Sequence, residues 1–179
     1  MRWARVDTKG VHLAADPVER LRLRCPSKEP SVVEQLYHRS VTRFVIDAPT
    51  LIHIASEAVD VHPDHRLVAP NAIRTQALTL LLDAARRDEI TDKEALALED
   101  RMTEVKIRLL GDRVSRRTAW RIAREQGWED LVDAEYVAIA RLRADALVCA
   151  DPGVTRRLQP LVPIAPVDAL SLPPGTARR

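Results

Sequence analysis

Three aspartates carry the chemistry this sequence offers. Asp47 closes the apolar, β-rich run Arg43-Phe44-Val45-Ile46. Asp151 follows Ala146-Leu147-Val148-Cys149-Ala150, a second apolar run. Asp133 opens a helical pattern through Tyr136, Val137, Ile139 and Ala140. In open α/β sheets ligands collect outside the carboxyl ends of the strands, and Asp47 and Asp151 fall at such ends. Three carboxylates drawn to one sheet edge repel one another, and a hard cation such as Mg2+ or Mn2+, which prefers oxygen ligands, relieves that repulsion. Two of the acids also have a structural reading. A helix N-terminus favours a carboxylate at Asp133 as a cap, and Asp151 suits the cap of a helix after Pro152.

The elements that must position these acids follow from the apolar pattern. Arg43 to Asp47 reads as a strand, followed after Pro49 by a helix through Leu51, Ile52, Ile54 and Ala55. His65 to Pro70 reads as a second strand, although His62-Pro63-Asp64-His65 has the character of a polar loop. Ile73, Ala77, Leu80, Leu81, Ala84 and Ala85 then recur at helical spacing up to Arg87. Thr91 and Glu94 have capping-box spacing and start a helix through Met102, ahead of a strand over Val105 to Leu110. A helix from Arg113 to Gln126 ends on Gly127, a residue suited to the left-handed conformation. Ala146 to Cys149 reads as a buried strand and Leu161 to Ile164 as a last one. Alternating strands and helices predict an α/β fold: a parallel sheet with helices on both faces. Proline clusters mark off residues 1–42 as an N-terminal extension, with a short helix at Val32 to His38, and residues 166–179 as an irregular tail, leaving residues 43–165 as the folded domain.

The helix from Arg113 to Gln126 is polarised. At about 100° per residue, Arg113, Arg116, Arg117, Arg121 and Arg124 share one side with Trp120, while Val114, Ala119, Ile122 and Ala123 take the other. Such a face is either a solvated surface or a path for a nucleic-acid backbone, with Trp120 stacking on a base, meeting a partner chain or packing within its own.

Composition bounds the alternatives. With 179 residues, 46% hydrophobic, and 28 Lys and Arg against 26 Asp and Glu for a formal charge of +2, the chain can bury one sizeable core. No stretch approaches the ~20 consecutive apolar residues of a membrane helix, and Met1-Arg2-Trp3-Ala4-Arg5 leads into polar sequence, so the expectation is a cytoplasmic protein without membrane contact. Cys25 and Cys149 are expected as free thiols. The histidines lack ligand spacing, and neither a phosphate-binding glycine loop nor a Ser-His-Asp set can be argued.

The succession Val45-Ile46-Asp47-Ala48, Leu67-Val68-Ala69-Pro70, Asp133-Ala134-Glu135-Tyr136-Val137-Ala138-Ile139-Ala140 and Ala146-Leu147-Val148-Cys149-Ala150-Asp151 resembles a PIN domain of the VapC toxin kind, over roughly Arg43 to Ile164. The resemblance implies a magnesium- or manganese-dependent ribonuclease acting on single-stranded RNA, commonly a homodimer and partnered by an antitoxin. Carried over, Asp47, Asp133 and Asp151 are the catalytic, metal-holding acids; on that reading the basic arc of Arg113, Arg117, Arg121 and Arg124 is the expected RNA-binding face. Two positions depart from the family pattern. Gln76 stands where a glutamate is expected, a neutral fourth ligand at best, and Pro49 replaces a small hydroxyl residue for which Thr50 is the nearest substitute. The departures open a second reading, a PIN-fold module that binds RNA, an antitoxin-like partner or itself without cutting.

Overall fold

The computed structural model describes residues 41–172. The helix expected over Val32 to His38, Cys25 and most of the N-terminal extension lie outside the described residues, as do residues 173–179. Five strands, β1 (Thr42–Ile46), β2 (His65–Pro70), β3 (Ile107–Leu110), β4 (Ala146–Val148) and β5 (Ile164–Ala165), form an all-parallel sheet in the order β3-β2-β1-β4-β5. The connecting helices are α1 (Ala48–Ser56), α2 (Ile73–Arg86), α3 (Asp92–Glu104), α4 (Arg113–Gln126), α5 (Val132–Arg143) and α6 (Pro152–Leu158).

Successive strand residues point to opposite faces, yet Phe44, Val45 and Ile46 on β1 and Leu67, Val68 and Ala69 on β2 are all buried, so helices cover the sheet on both sides. Helices α1, α2 and α3 pack on one another. The pair α4 and α5 forms a second group, in which α5 lies on β1, β2 and β4. A short connection makes α4 and α5 antiparallel neighbours, and the ion pair of Arg143 with Asp112 at 3.3 Å ties their far ends together. The chain moves from β1 to β2 on one side and returns through α5 to β4 on the other. That reversal puts the topological switch point between β1 and β4, where Val45 pairs with Leu147 and Ile46 with Val148.

Local signals act as the sequence predicts at several boundaries. The Thr91–Glu94 capping box forms, with Oγ1 of Thr91 accepting from the Glu94 amide at 3.2 Å and Oε2 of Glu94 from the Thr91 amide at 2.8 Å. Gly127 ends α4 at φ +67°, where a side chain would be strained. Other boundaries move. The last strand is Ile164–Ala165 rather than Leu161 to Ile164, because the amides of Leu161 and Val162 bond to the Leu158 carbonyl and close the turn after α6. Within the stretch expected to be irregular, Val167–Leu170 makes a 3-10 turn that buries Ala169 and Leu170. His65 is buried at the start of β2 instead of lying in a loop, edge-on to Phe44, with Nε2 2.7 Å from the Leu172 carbonyl. Val114 is 58% exposed, not inward-facing: α4 buries Ser115, Thr118, Ala119, Ile122 and Ala123, and Val114 falls outside that arc.

Leu147, fully buried on β4, tests the core. Leu147→Ala should lower stability by about 2–5 kcal/mol, read as a drop in the urea midpoint at unchanged slope, whereas Leu96→Ala on the exposed side of α3 should stay within about 0.5 kcal/mol of the parent.

Candidate metal and nucleic-acid site

Asp47 leaves β1 at the switch point and caps α1. Its Oδ1 accepts from the Thr50 amide at 2.9 Å, and Pro49, which has no amide hydrogen to leave unsatisfied, sits in the first turn. The carboxylate is only 5% exposed, and its Oδ2 is buried without a hydrogen-bond partner. Burial pushes the Asp47 carboxyl above its ordinary range. The Thr50 hydroxyl and amide, the Cys149 thiol and the Ala150 amide lie close enough to offset part of that shift. Thr50, itself fully buried, donates its hydroxyl to the Val148 carbonyl at 3.2 Å and thereby fixes α1 against β4.

Asp133 lies in the first turn of α5 without capping it. Asp130 accepts from the Val132 amide instead, at 2.9 Å. The freed Asp133 side chain is 17% exposed and forms an ion pair through Oδ2 with Arg157 of α6. Burial raises the Asp133 carboxyl, Arg157 counters it, and the charges of Asp130 and Asp47 push it further up. Asp151 takes its capping role: Oδ1 accepts from the amides of Gly153 at 2.5 Å and Val154 at 3.1 Å, at an exposed position beside β4.

The buried Cys149 sulfur reports that these acids share one neighbourhood. Burial raises its thiol strongly, and Asp47, Asp133 and Asp151 each raise it further, so all three carboxylates act on one point. Tyr136 senses the same field. Its phenol is raised by burial and then by Asp47, Glu135 and Asp133, and it donates to Oε1 of Gln76 at 2.6 Å. The carbonyl oxygen of Gln76 is thereby bound to Tyr136, the phenol on which Asp47 and Asp133 act.

Among the described residues no three His, Cys, Asp or Glu side chains close around a common point, so the acids form a patch and not a finished cage. Helix capping holds Asp151, and Arg157 holds Asp133. The donors still suit a hard cation: they are carboxylate oxygens, and one of them, Oδ2 of Asp47, is buried without a partner at hydrogen-bond geometry, only the Cys149 thiol and the Ala150 amide acting on the carboxyl from nearby. Beside the cluster, a cavity of about 170 Å³ at the carboxyl ends of β2 and β3 is lined by Asn71, Ser115, Arg116 and Glu135. A larger concavity lies elsewhere, around the strand starts at Arg43, His65 and Ile107, and none of the three aspartates lines it.

Arg113, Arg117, Arg121 and Arg124 are all exposed on α4, as is Arg116, which acts electrostatically on Glu135. Among the described residues none of these arginines forms an ion pair at contact distance. Trp120, 63% exposed, sits among them, so most of its ring surface stays open to solvent in the described domain. Four further residues of the site are not named as site residues by the sequence: Tyr136 and Cys149, which lie within the segments that carry the resemblance, and Arg157 and Trp128, which no motif or spacing marks. Arg157 and Trp128 meet through tertiary structure alone.

No protein-family model matches the chain, and no curated protein matches it. A solved structure described as the crystal structure of PAE2754 from Pyrobaculum aerophilum is similar in fold, with a TM-score of 0.54 and 19% sequence identity over 73% of this chain and 94% of that one.

The orphaned oxygen of Asp47 has a measurable consequence. A carboxyl whose folded pKa lies above its unfolded value adds stability below that unfolded value, 3.8 here, and loses it as pH rises through the folded pKa. Asp47→Asn keeps the cap oxygen and removes the charge. In chelator at pH 7.5 it should therefore raise the calorimetric unfolding midpoint, with the gain fading as pH falls through the raised folded pKa and gone below the unfolded value of 3.8. A midpoint unchanged or lowered at pH 7.5 would mean that the wild-type carboxylate is already compensated.

Proposed function

We propose that this domain is a divalent-metal-dependent ribonuclease similar to the VapC group of PIN domains, acting on single-stranded RNA with Asp47, Asp133 and Asp151 as its metal-holding acids. The observation that carries the reading is the buried, unpartnered Oδ2 of Asp47 at the switch point of a parallel sheet, where Asp133 and Asp151 also project their charge. Bound magnesium or manganese would supply Lewis-acid polarisation of a phosphate oxygen and a water made acidic enough to attack phosphorus. The chain's own contribution is placement. The Thr50 amide fixes one oxygen of Asp47 and leaves the other buried without a partner, and Tyr136 on α5 binds the carbonyl oxygen of Gln76. The exposed arginines of α4 offer a basic surface to an RNA backbone, which is bound mainly through its phosphates. The reading carries with it an antitoxin partner, a homodimer and a cytoplasmic setting, in which a free thiol such as Cys149 persists. Among the described residues no helix is long and apolar enough to cross a membrane.

One observation favours a second reading, a PIN-fold module that binds without cutting. Gln76 brings no charge to the cluster, and its carbonyl oxygen is engaged by Tyr136. Gln76→Glu separates the two readings because it adds a carboxylate at nearly constant volume and can still accept from Tyr136. It should tighten magnesium or manganese binding about tenfold, the scale on which residues around a metal centre alter its affinity. Asp133→Asn should weaken binding. Calorimetric metal titration beside a single-stranded RNA cleavage assay reads both variants. Metal-dependent cleavage by the wild type, abolished by chelator, supports the enzyme. Cleavage arising only in the Gln76→Glu variant supports the binding module, and no metal binding in any variant removes the metal site.

The α4 face gives an independent expectation. Reversing Arg117 and Arg121 to glutamate should weaken RNA binding most at low salt, and should lower the slope of log affinity against log salt by about one for each phosphate the arginines had neutralised. An unchanged slope would return that face to solvent. A shift from dimer to monomer in sedimentation would assign it to a subunit interface.

A further inference from the structure

The acid cluster already contains a cation, supplied by the chain. Arg157, near the end of α6, pairs through its guanidinium with Oδ2 of Asp133, and its Cζ lies 5.9 Å from the ring centroid of Trp128. Trp128 directly follows the Gly127 cap of α4 and packs partly against the core, so it gives the guanidinium a fixed apolar wall on one side. The Arg157 side chain is 54% exposed, which leaves it free to reorient without disturbing the core. Charge counting defines its importance. Three carboxylates and one divalent cation sum to −1, and a phosphodiester approaching that site is repelled unless a further positive group stands beside it. Arg157 is the arginine that contacts one of these carboxylates, and its planar fork suits phosphate oxygens bidentately.

We propose that Arg157 exchanges partners: in the metal-free protein it is the counter-ion of Asp133, and when a divalent cation takes that carboxylate its guanidinium, still shelved on Trp128, binds the phosphate of the nucleic acid entering the site. The inference rests on the metal-site reading above and extends it to the recognition of the phosphodiester. It assigns Arg157 two effects of opposite sign. As a counter-ion it competes with metal, and as a phosphate ligand it favours RNA. A residue with only a structural role would move both affinities in the same direction when removed.

Arg157→Ala and Arg157→Lys decide the matter in the full chain. Arg157→Ala should bind magnesium and manganese about three- to tenfold more tightly by calorimetry, because Asp133 loses its competing charge. It should bind a single-stranded RNA oligonucleotide about tenfold more weakly by fluorescence anisotropy, with calcium as the divalent ion. Arg157→Lys, which keeps the charge but not the fork, should stay near wild type for metal and remain weak for RNA, and it stands in if the alanine variant does not fold. A fluorescence arm needs no RNA. In a Trp3→Phe, Trp120→Phe background Trp128 is the sole indole, and magnesium should shift its emission when Arg157 is present and not in Arg157→Ala. Wild type that binds metal with an affinity unchanged or reduced by Arg157→Ala overturns the exchange and leaves the metal site standing. Tighter metal binding with unaltered RNA affinity overturns the phosphate role. Absence of metal binding in both wild type and Arg157→Ala overturns the underlying metal reading and the exchange with it.

Discussion

Asp47 is a carboxylate buried at the carboxyl end of the central strand with only half of its hydrogen-bonding capacity met. One oxygen is tied to the first turn of α1, and the other is buried without a hydrogen-bond partner. A charge in that position is costly unless something balances it. The strands are held in parallel register by continuous apolar burial, which fixes the gap, and Thr50 locks α1 to β4 across it. The polar cluster is thus set in a rigid frame, and its unmet demand is electrostatic.

The remaining groups of the cluster can be understood as responses to that field. Tyr136 and Cys149 are held protonated by burial and by the neighbouring acids, so the phenol acts as a donor to Gln76 and the sulfur stays a neutral thiol. Asp151 is satisfied by two amides of its own helix, and Asp133, which makes no cap bond on α5, is answered by Arg157. The site therefore holds acids in three states of compensation: one capped, one paired and one left with a bare oxygen. That gradation explains why no closed ligand cage is present among the described residues although the same charges converge on one sulfur.

The basic face of α4 is physically distinct from this cluster. Its helix is anchored from below by Ser115, Thr118, Ala119, Ile122 and Ala123 and at its ends by the Asp112 cap and the left-handed Gly127. The amide and hydroxyl of Ser115 and the charge of Arg143 hold the Asp112 carboxyl down to about 2, so the cap stays ionised well into acid. The arginines are then displayed on a fixed scaffold, with Trp120 in their midst. The small residues of the buried side allow α4 to lie close on α5, the helix that carries Asp133, so the basic face and the acid patch are built on one packed helix pair.

By itself the sequence determined the class of fold, most element boundaries and the location of the acids, because these depend on short-range signals. Apolar runs of strand length, the Thr91–Glu94 box, the glycine after α4 and an aspartate after each of two strands act within a few residues of chain. It also determined which face of α4 would be basic, since helical periodicity is local, though it misplaced Val114 at the helix start, where a residue near the edge of the apolar arc can turn either way. Tertiary structure decided the rest. Strand order, and with it the switch point, comes from long-range pairing that no local pattern encodes. Asp133 makes no cap bond on its helix and pairs with Arg157 instead, a choice that no local signal encodes. The partner of Gln76 lies 60 residues away in sequence, and Arg157 meets Asp133 and Trp128 only because α6 returns over the start of α5. Capping and periodicity are contests among neighbours in the chain, whereas compensation of a buried charge is settled by whichever groups the finished fold brings within a few ångströms.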